Sequence, residues 1–190
     1  MATATPLDDR LRDFGLRKGR FAYYDPVCGN LAVGLHVLEL YKPSEAHIAD
    51  ESPDVVNFFC CLTHQYARLV ARVRELVGNG LDDHGHHALQ RRFNERKDAP
   101  PESAAQFCVL SRGTCVDGLR VVTPAMWAHL HRAHRVLSQN KVFFECVGAD
   151  AFLRRRRPEE SALVHADPCD RKRLGPALDR WAAAGARVLC

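Results

Sequence analysis

The chain has 190 residues, 46% of them hydrophobic and 26% charged, with a formal net charge of +4 and eight cysteines. This length suits a single domain of roughly 100–200 residues around one sizeable core. Eight cysteines are too dilute for a disulfide scaffold, the opening residues hold no apolar stretch that reads as a signal peptide, and no run reaches the ~18 apolar residues of a membrane span. The expectation is an intracellular protein, cytoplasmic or nuclear, with reduced thiols and no membrane partner. The charge is compatible with nucleic acid but too small to argue for it unaided.

Residues 1–20 are polar with alternating charge and read as a flexible lead or a short surface helix. Residues 21–190 read as one α/β domain. Phe21–Tyr24 is an aromatic strand that ends at Asp25-Pro26. The turn Cys28-Gly29-Asn30 follows it, and then comes a helix on Leu31, Val33, Leu35, Val37, Leu38 and Leu40. After Pro43, Ala46–Asp50 is a short strand, and Ser52-Pro53-Asp54 caps a helix that runs to about Leu76. Gly78–His87 reads as a loop. Ala88–Lys97 and Glu102–Leu110 are helices kept apart by Ala99-Pro100-Pro101, within a helical insertion of about 78–122.

From Pro124 a helical period carries Met126, Trp127, Leu130, Ala133 and Leu137, and Val142–Cys146 is a strand. A basic loop at Arg154–Arg157 leads to a strand at Ala162–His165, which ends at Asp167-Pro168. A helix over Leu174–Ala184 and a strand at Arg187–Leu189 complete the pattern. Strands alternating with helices predict a mostly parallel, Rossmann-like sheet with helices on both faces, whose ligands bind at the carboxyl edge of the strands.

Several blocks carry a resemblance. They are Tyr24–Val33, then His47–Asp50 with Pro53–Phe59, then Arg92-Phe93-Asn94 with Ala104–Arg112 and Gly118-Leu119-Arg120, and last Asn140–Cys146 with Val164–Pro168. In that order and near that spacing they resemble the Dam-type adenine-specific DNA methyltransferases, over residues 17–189. The resemblance implies a methyltransferase fold that uses S-adenosylmethionine. Asp25 and Gly29 would lie in the cofactor turn, Asp50 would accept the ribose hydroxyls, and Asp167 and Pro168 would begin the catalytic motif.

The sequence departs from that family in places that matter. Its Asp-Pro-Pro-Tyr motif is here Asp167-Pro168-Cys169-Asp170, so a carboxylate stands where an aromatic ring would stack on the base, an interaction worth about 1–3 kcal/mol. The second glycine of the cofactor turn falls on Asn30 or Leu31. Only Leu16-Arg17-Lys18-Gly19 lies opposite the family's N-terminal lysine motif, the segment after Arg120 is too short for a DNA-reading insert, and the sheet's closing elements are missing.

The departures imply a catalytically inactive, methyltransferase-like binding or scaffolding module that needs no cofactor. Its partner is a protein of unspecified kind, or DNA or RNA. The alternative is an active adenine methyltransferase with S-adenosylmethionine as cofactor. Candidate nucleic-acid contacts are Arg154, Arg155, Arg156 and Arg157, with Arg112 and Arg120. His84, His86, His87, Asp82, Asp83, Cys60, Cys61 and His64 invite a zinc reading, but adjacent helical cysteines point about 100° apart and no paired knuckles occur, so no metal is expected. The Arg- and Ala-rich composition suits the GC-rich genome of a large DNA virus.

Overall fold

The computed structural model describes residues 6–157, 159–167 and 169–190. The chain forms two compact units, Met1–Glu51 with Gln139–Cys190, and Ser52–Ser138.

The first unit is built on a five-stranded parallel sheet of β1 (Ala22–Asp25), β2 (Glu45–Asp50), β5 (Val142–Cys146), β6 (Leu163–His165) and β7 (Arg187–Leu189), in the order β5-β2-β1-β6-β7. All four residues of β1 are buried, as a central strand covered on both faces requires. The chain steps outward from β1 to β2 and β5, then returns to the other side of β1 for β6 and β7. The order therefore reverses between β1 and β6, and this is the place where a parallel α/β sheet opens a crevice at its carboxyl edge. The fold is the expected Rossmann-like α/β arrangement, a parallel sheet flanked by helices.

Strand pleating sends Ala22 and Tyr24 to one face, and Tyr23 and Asp25 to the other. On the first face α8 (Ala149–Arg155) and α9 (Arg171–Ala183) close a core of Tyr24, Phe152, Leu153, Val164, Leu174, Leu178 and Trp181. Trp181 is fully buried, lies 4.7 Å from the Tyr24 ring and donates its indole N–H to the Leu153 carbonyl at 3.3 Å. Tyr24, His47 and Phe143 stack in a row across β1, β2 and β5, with centroids 5.1 and 5.0 Å apart. Residues 6–13 form helix α1, whose Leu11 is buried and whose Asp8 meets His36 of α2 (Ala32–Leu40) at 2.7 Å.

The second unit is helical: α3 (Pro53–His64), α4 (Tyr66–Val77), α5 (Asp83–Asn94), α6 (Pro100–Arg112) and α7 (Pro124–Ser138), with a small hairpin of β3 (Thr114–Val116) and β4 (Leu119–Val121). It is wider than the expected insertion. Helix α6 packs against α3, α4 and α5, with Ala104, Ala105, Cys108 and Val109 buried.

Three elements differ from the sequence reading. The long helix after Ser52 breaks at Gln65, whose φ of −132° and ψ of 31° are not helical. The loop after Gly78 ends sooner than His87, because the Asp82 carboxylate accepts the Gly85 N–H at 2.7 Å and caps α5. Arg154 and Arg155 sit in the last turn of α8 rather than in a loop. The dipole at a helix C-terminus favours such cations. Among the described residues no helix is long and apolar enough to cross a membrane.

Candidate functional site

The parallel register sets Tyr23 against Leu163 and Tyr24 against Val164, so the next pair along β1 and β6 is Asp25 and His165. Both side chains leave the sheet on the same face, and His165 Nδ1 lies 3.4 Å from Asp25 Oδ2. The same oxygen accepts the Tyr23 hydroxyl at 2.9 Å. Asp25 is only 2% exposed and its Oδ1 has no hydrogen-bond partner. Burial, followed by the neighbouring Asp25 carboxylate, pushes the Tyr23 hydroxyl well above the usual tyrosine range. The phenol therefore stays a donor. A buried carboxylate oxygen with no donor is costly, by about 1–3 kcal/mol or more for a charged group. Here that oxygen belongs to a residue that lines an open cleft.

The cleft has a volume of about 370 Å³. It lies at the carboxyl edge, over the switch between β1 and β6, and is walled by Asp25, the turn Val27–Val33, His165, Asp167, Cys169 and Asp170. The turn is held from behind. Asp50 is buried at the end of β2 and accepts the Gly29 N–H at 3.1 Å, while Cys28 N–H donates to the Ala49 carbonyl at 2.9 Å. Gly29 has φ +48° and a Cβ there would meet nothing within 4 Å, so the space over it is open.

Of the two residues on which a second glycine of the turn could fall, Leu31 has φ of 58° and ψ of 21°, a left-handed backbone that suits glycine. The backbone keeps the left-handed conformation, at about 1–2 kcal/mol for a residue with a Cβ. The Leu31 side chain is 1% exposed and folds onto Gly34, where an added Cβ would come within 2.6 Å of its Cδ1.

At the end of β6 the Asp167 carboxylate is turned onto its own loop. Its Oδ1 accepts the Cys169 N–H at 3.0 Å and the Cys169 thiol at 2.7 Å. These two bonds, the thiol first, hold Asp167 below the usual carboxylate range, and the same bond raises the Cys169 thiol, which is therefore no poised nucleophile. Pro168 lies outside the described residues.

The structure thus gathers Asp25, Gly29, Asp50 and Asp167 around one edge, as the sequence reading expected of cofactor and catalytic residues. Asp50 stands behind the turn rather than among the residues lining the cleft. His165 joins these without having been singled out in the sequence, and it was findable, because it closes β6 as Asp25 closes β1.

The candidate arginines are divided between the two units. Arg112 and Arg120 belong to the second unit. Arg112 lies over the Phe58 ring at 5.2 Å, and Arg120 Nη1 donates to the Gly113 carbonyl at 2.9 Å, past the end of α6. On α8, Arg154 pairs with Asp150 at 2.9 Å, whereas Arg155 and Arg157 are exposed. Arg156 departs from the expectation of a solvent-facing contact: it lies 3.9 Å over the Phe152 ring, pairs with Glu145 and is 17% exposed, and burial lowers its pKa. Among the described residues no group of three His, Cys, Asp or Glu side chains is arranged to hold a metal ion.

Strand order and cleft together define a Rossmann-like α/β protein with an open crevice at its switch point. No family model matches the chain, and no curated protein matches it in sequence. Among solved structures it is similar to the rRNA methyltransferase aviRa from Streptomyces viridochromogenes, at 14% identity and a TM-score of 0.37, over 96% of this chain and 71% of that one. A likeness so slight carries neither fold nor function, and both rest on the geometry above.

Proposed function

We propose that this protein is a methyltransferase-like binding module of Dam-type ancestry, in which the crevice still takes a ligand but no longer methylates a nucleobase. One observation carries the reading. Asp167 Oδ1 is spent on Cys169, Asp170 stands where the family's base-stacking ring would be, and no Phe, Tyr or Trp side chain is among the described residues that line the cleft. A flipped base would find Asp167 Oδ1 already taken by two donors and no tyrosine ring to stack on. Transfer of a radiolabelled methyl group from S-adenosylmethionine to DNA or RNA oligonucleotides tests this directly. No label above background is expected, and label lost on Asp167→Ala would overturn the reading.

A second reading, that S-adenosylmethionine is the ligand, is favoured on the β1 side of the cleft. Asp25 Oδ1 is buried without a donor, and the space over Gly29 is open, so the residues there fit the cofactor even though those after β6 do not fit its target. Asp25 would receive a donor from the methionine part, and the Gly29 turn would lie against it. When bound, the cofactor supplies an electrophilic methyl group. Titration calorimetry distinguishes the readings: saturable binding that Asp25→Asn abolishes would establish the cofactor as ligand, and absence of heat would exclude it. Partnership with a nucleic acid through Arg154, Arg155 and Arg157 belongs to the same proposal, and a weaker salt dependence of RNA or DNA binding on their substitution by Glu would support it.

A further inference from the structure

The opposite edge of the same sheet carries a second concavity, and we propose that it binds a phosphate group. It has a volume of about 270 Å³ and lies at the amino ends of β1, β6 and β7. Three arginines, Arg17, Arg20 and Arg187, line it together with the Ser161 hydroxyl, and no carboxylate does.

The arrangement is built by the backbone rather than by chance exposure. Gly15 and Gly19 have φ of +61° and +71°, reversals that a side chain would resist, and the chain between them turns so that the Arg20 N–H bonds the Arg17 carbonyl at 3.1 Å. The Gly19 N–H donates to the Lys42 carbonyl at 2.8 Å and ties the turn down. Arg187, the first residue of β7, donates through Nε to the Phe14 carbonyl at 2.6 Å and through Nη1 to the Glu160 carbonyl at 3.3 Å. Both acceptors are neutral, so they fix the guanidinium in place and leave its charge uncompensated. None of the three arginines forms an ion pair with a described carboxylate.

Three arginines around one cavity, with no acid among the described residues that line it, favour a bound anion. Guanidinium forks match the oxygen spacing of phosphate, and a fixed one loses little freedom on binding. The volume falls just below the roughly 300–1,000 Å³ of sites for drug-sized ligands, which suits a phosphate group and a few attached atoms rather than a whole nucleotide. The phosphate could belong to a small monoester or to a polynucleotide backbone. The site is distinct from the acidic crevice and does not depend on the function proposed for it.

The test is titration calorimetry on the full chain with three probes: inorganic phosphate, a ribose 5-phosphate-type monoester, and a short single-stranded RNA with and without a 5′-phosphate. Saturable binding of any phosphate-bearing probe is expected, weakened at least about tenfold by the double variant R17Q/R20Q, a loss of ~1.4 kcal/mol. The charge-matched R68Q/R91Q should bind as the parent does. Because Arg187 also holds the Phe14 and Glu160 carbonyls, Arg187→Lys is read alongside its circular dichroism spectrum, while the exposed pair Arg17 and Arg20 leaves the fold out of the question. Binding of the small probes points to a monoester, and binding of RNA alone to a backbone phosphate. No saturable binding by any probe, or equal loss in R17Q/R20Q and R68Q/R91Q, would overturn the proposal.

Discussion

At its carboxyl edge the parallel sheet gathers acids: Asp25 with a buried oxygen lacking a donor, Asp167 closed on its own turn, and Asp170 beside them. At its amino edge the same strands gather Arg17, Arg20 and Arg187 with no acid among them. The two edges are set apart by the length of β1 and β6, strands of four and three residues that rise about 3.3 Å per residue. One sheet therefore offers two sites of opposite charge, and a ligand that suits one is repelled from the other. Phosphate belongs at the amino edge, and an amine or other donor at the carboxyl edge.

The comparison presumes a common core beneath both edges, and its removal gives the largest expected effect. Trp181→Ala empties a fully buried site and takes away a ring against Tyr24, so urea denaturation should register a loss of about 3–5 kcal/mol, and binding at both edges should fall together. A smaller loss follows from Leu31→Gly, where two terms oppose each other. Relief of the left-handed backbone returns about 1–2 kcal/mol, but loss of a buried leucine costs about 3–5, so a net destabilisation of about 1–4 kcal/mol is expected. A gain in stability would mean that the turn stores more strain than this.

Asp25→Asn should act in the opposite direction and only at one edge. The amide keeps an acceptor for the Tyr23 hydroxyl and removes a buried carboxylate whose Oδ1 has no donor, so stability should rise by about 1 kcal/mol while phosphate binding at the amino edge stays unchanged. The smallest effect concerns pH. Tyr23 has its folded-state pKa raised, so its contribution is complete below the ordinary tyrosine value near 10 and is lost as pH rises beyond it, when the unfolded chain ionises first. Burial also pushes the Cys108 thiol up to about 12, which adds to the same alkaline loss. Tyr23→Phe should flatten part of that limb in a stability–pH profile.

The sheet was legible because each of its strands is a short apolar run beside a helical period, a pattern that survives without knowledge of neighbours. The acids at strand ends were legible for the same reason. What escaped depended on contacts distant in sequence. Asp25 and His165 meet only through the β1–β6 register, across 139 intervening positions, and Arg187 joins Arg17 and Arg20 around one cavity only after β7 has joined the sheet. Helix α8 was hidden by its own arginines, which read as a solvated loop until Phe152 and Leu153 are seen to be buried beneath them. The Asp82 cap of α5 was masked by Gly85 and the histidines around it, residues that suggest a loop when no hydrogen bond is in view.

The register between β1 and β6 makes the crevice an all-or-none device. Side chains alternate faces along a strand, so a slip of a single residue in β6 would put Val164 or Ala166 opposite Asp25 and carry the imidazole onto the face packed by α8 and α9. No intermediate arrangement exists in which the histidine is merely farther away. Insertions in the loop before β6 can thus vary freely in length as long as this pairing is restored, whereas a single deletion inside the strand erases the acid–imidazole pair outright.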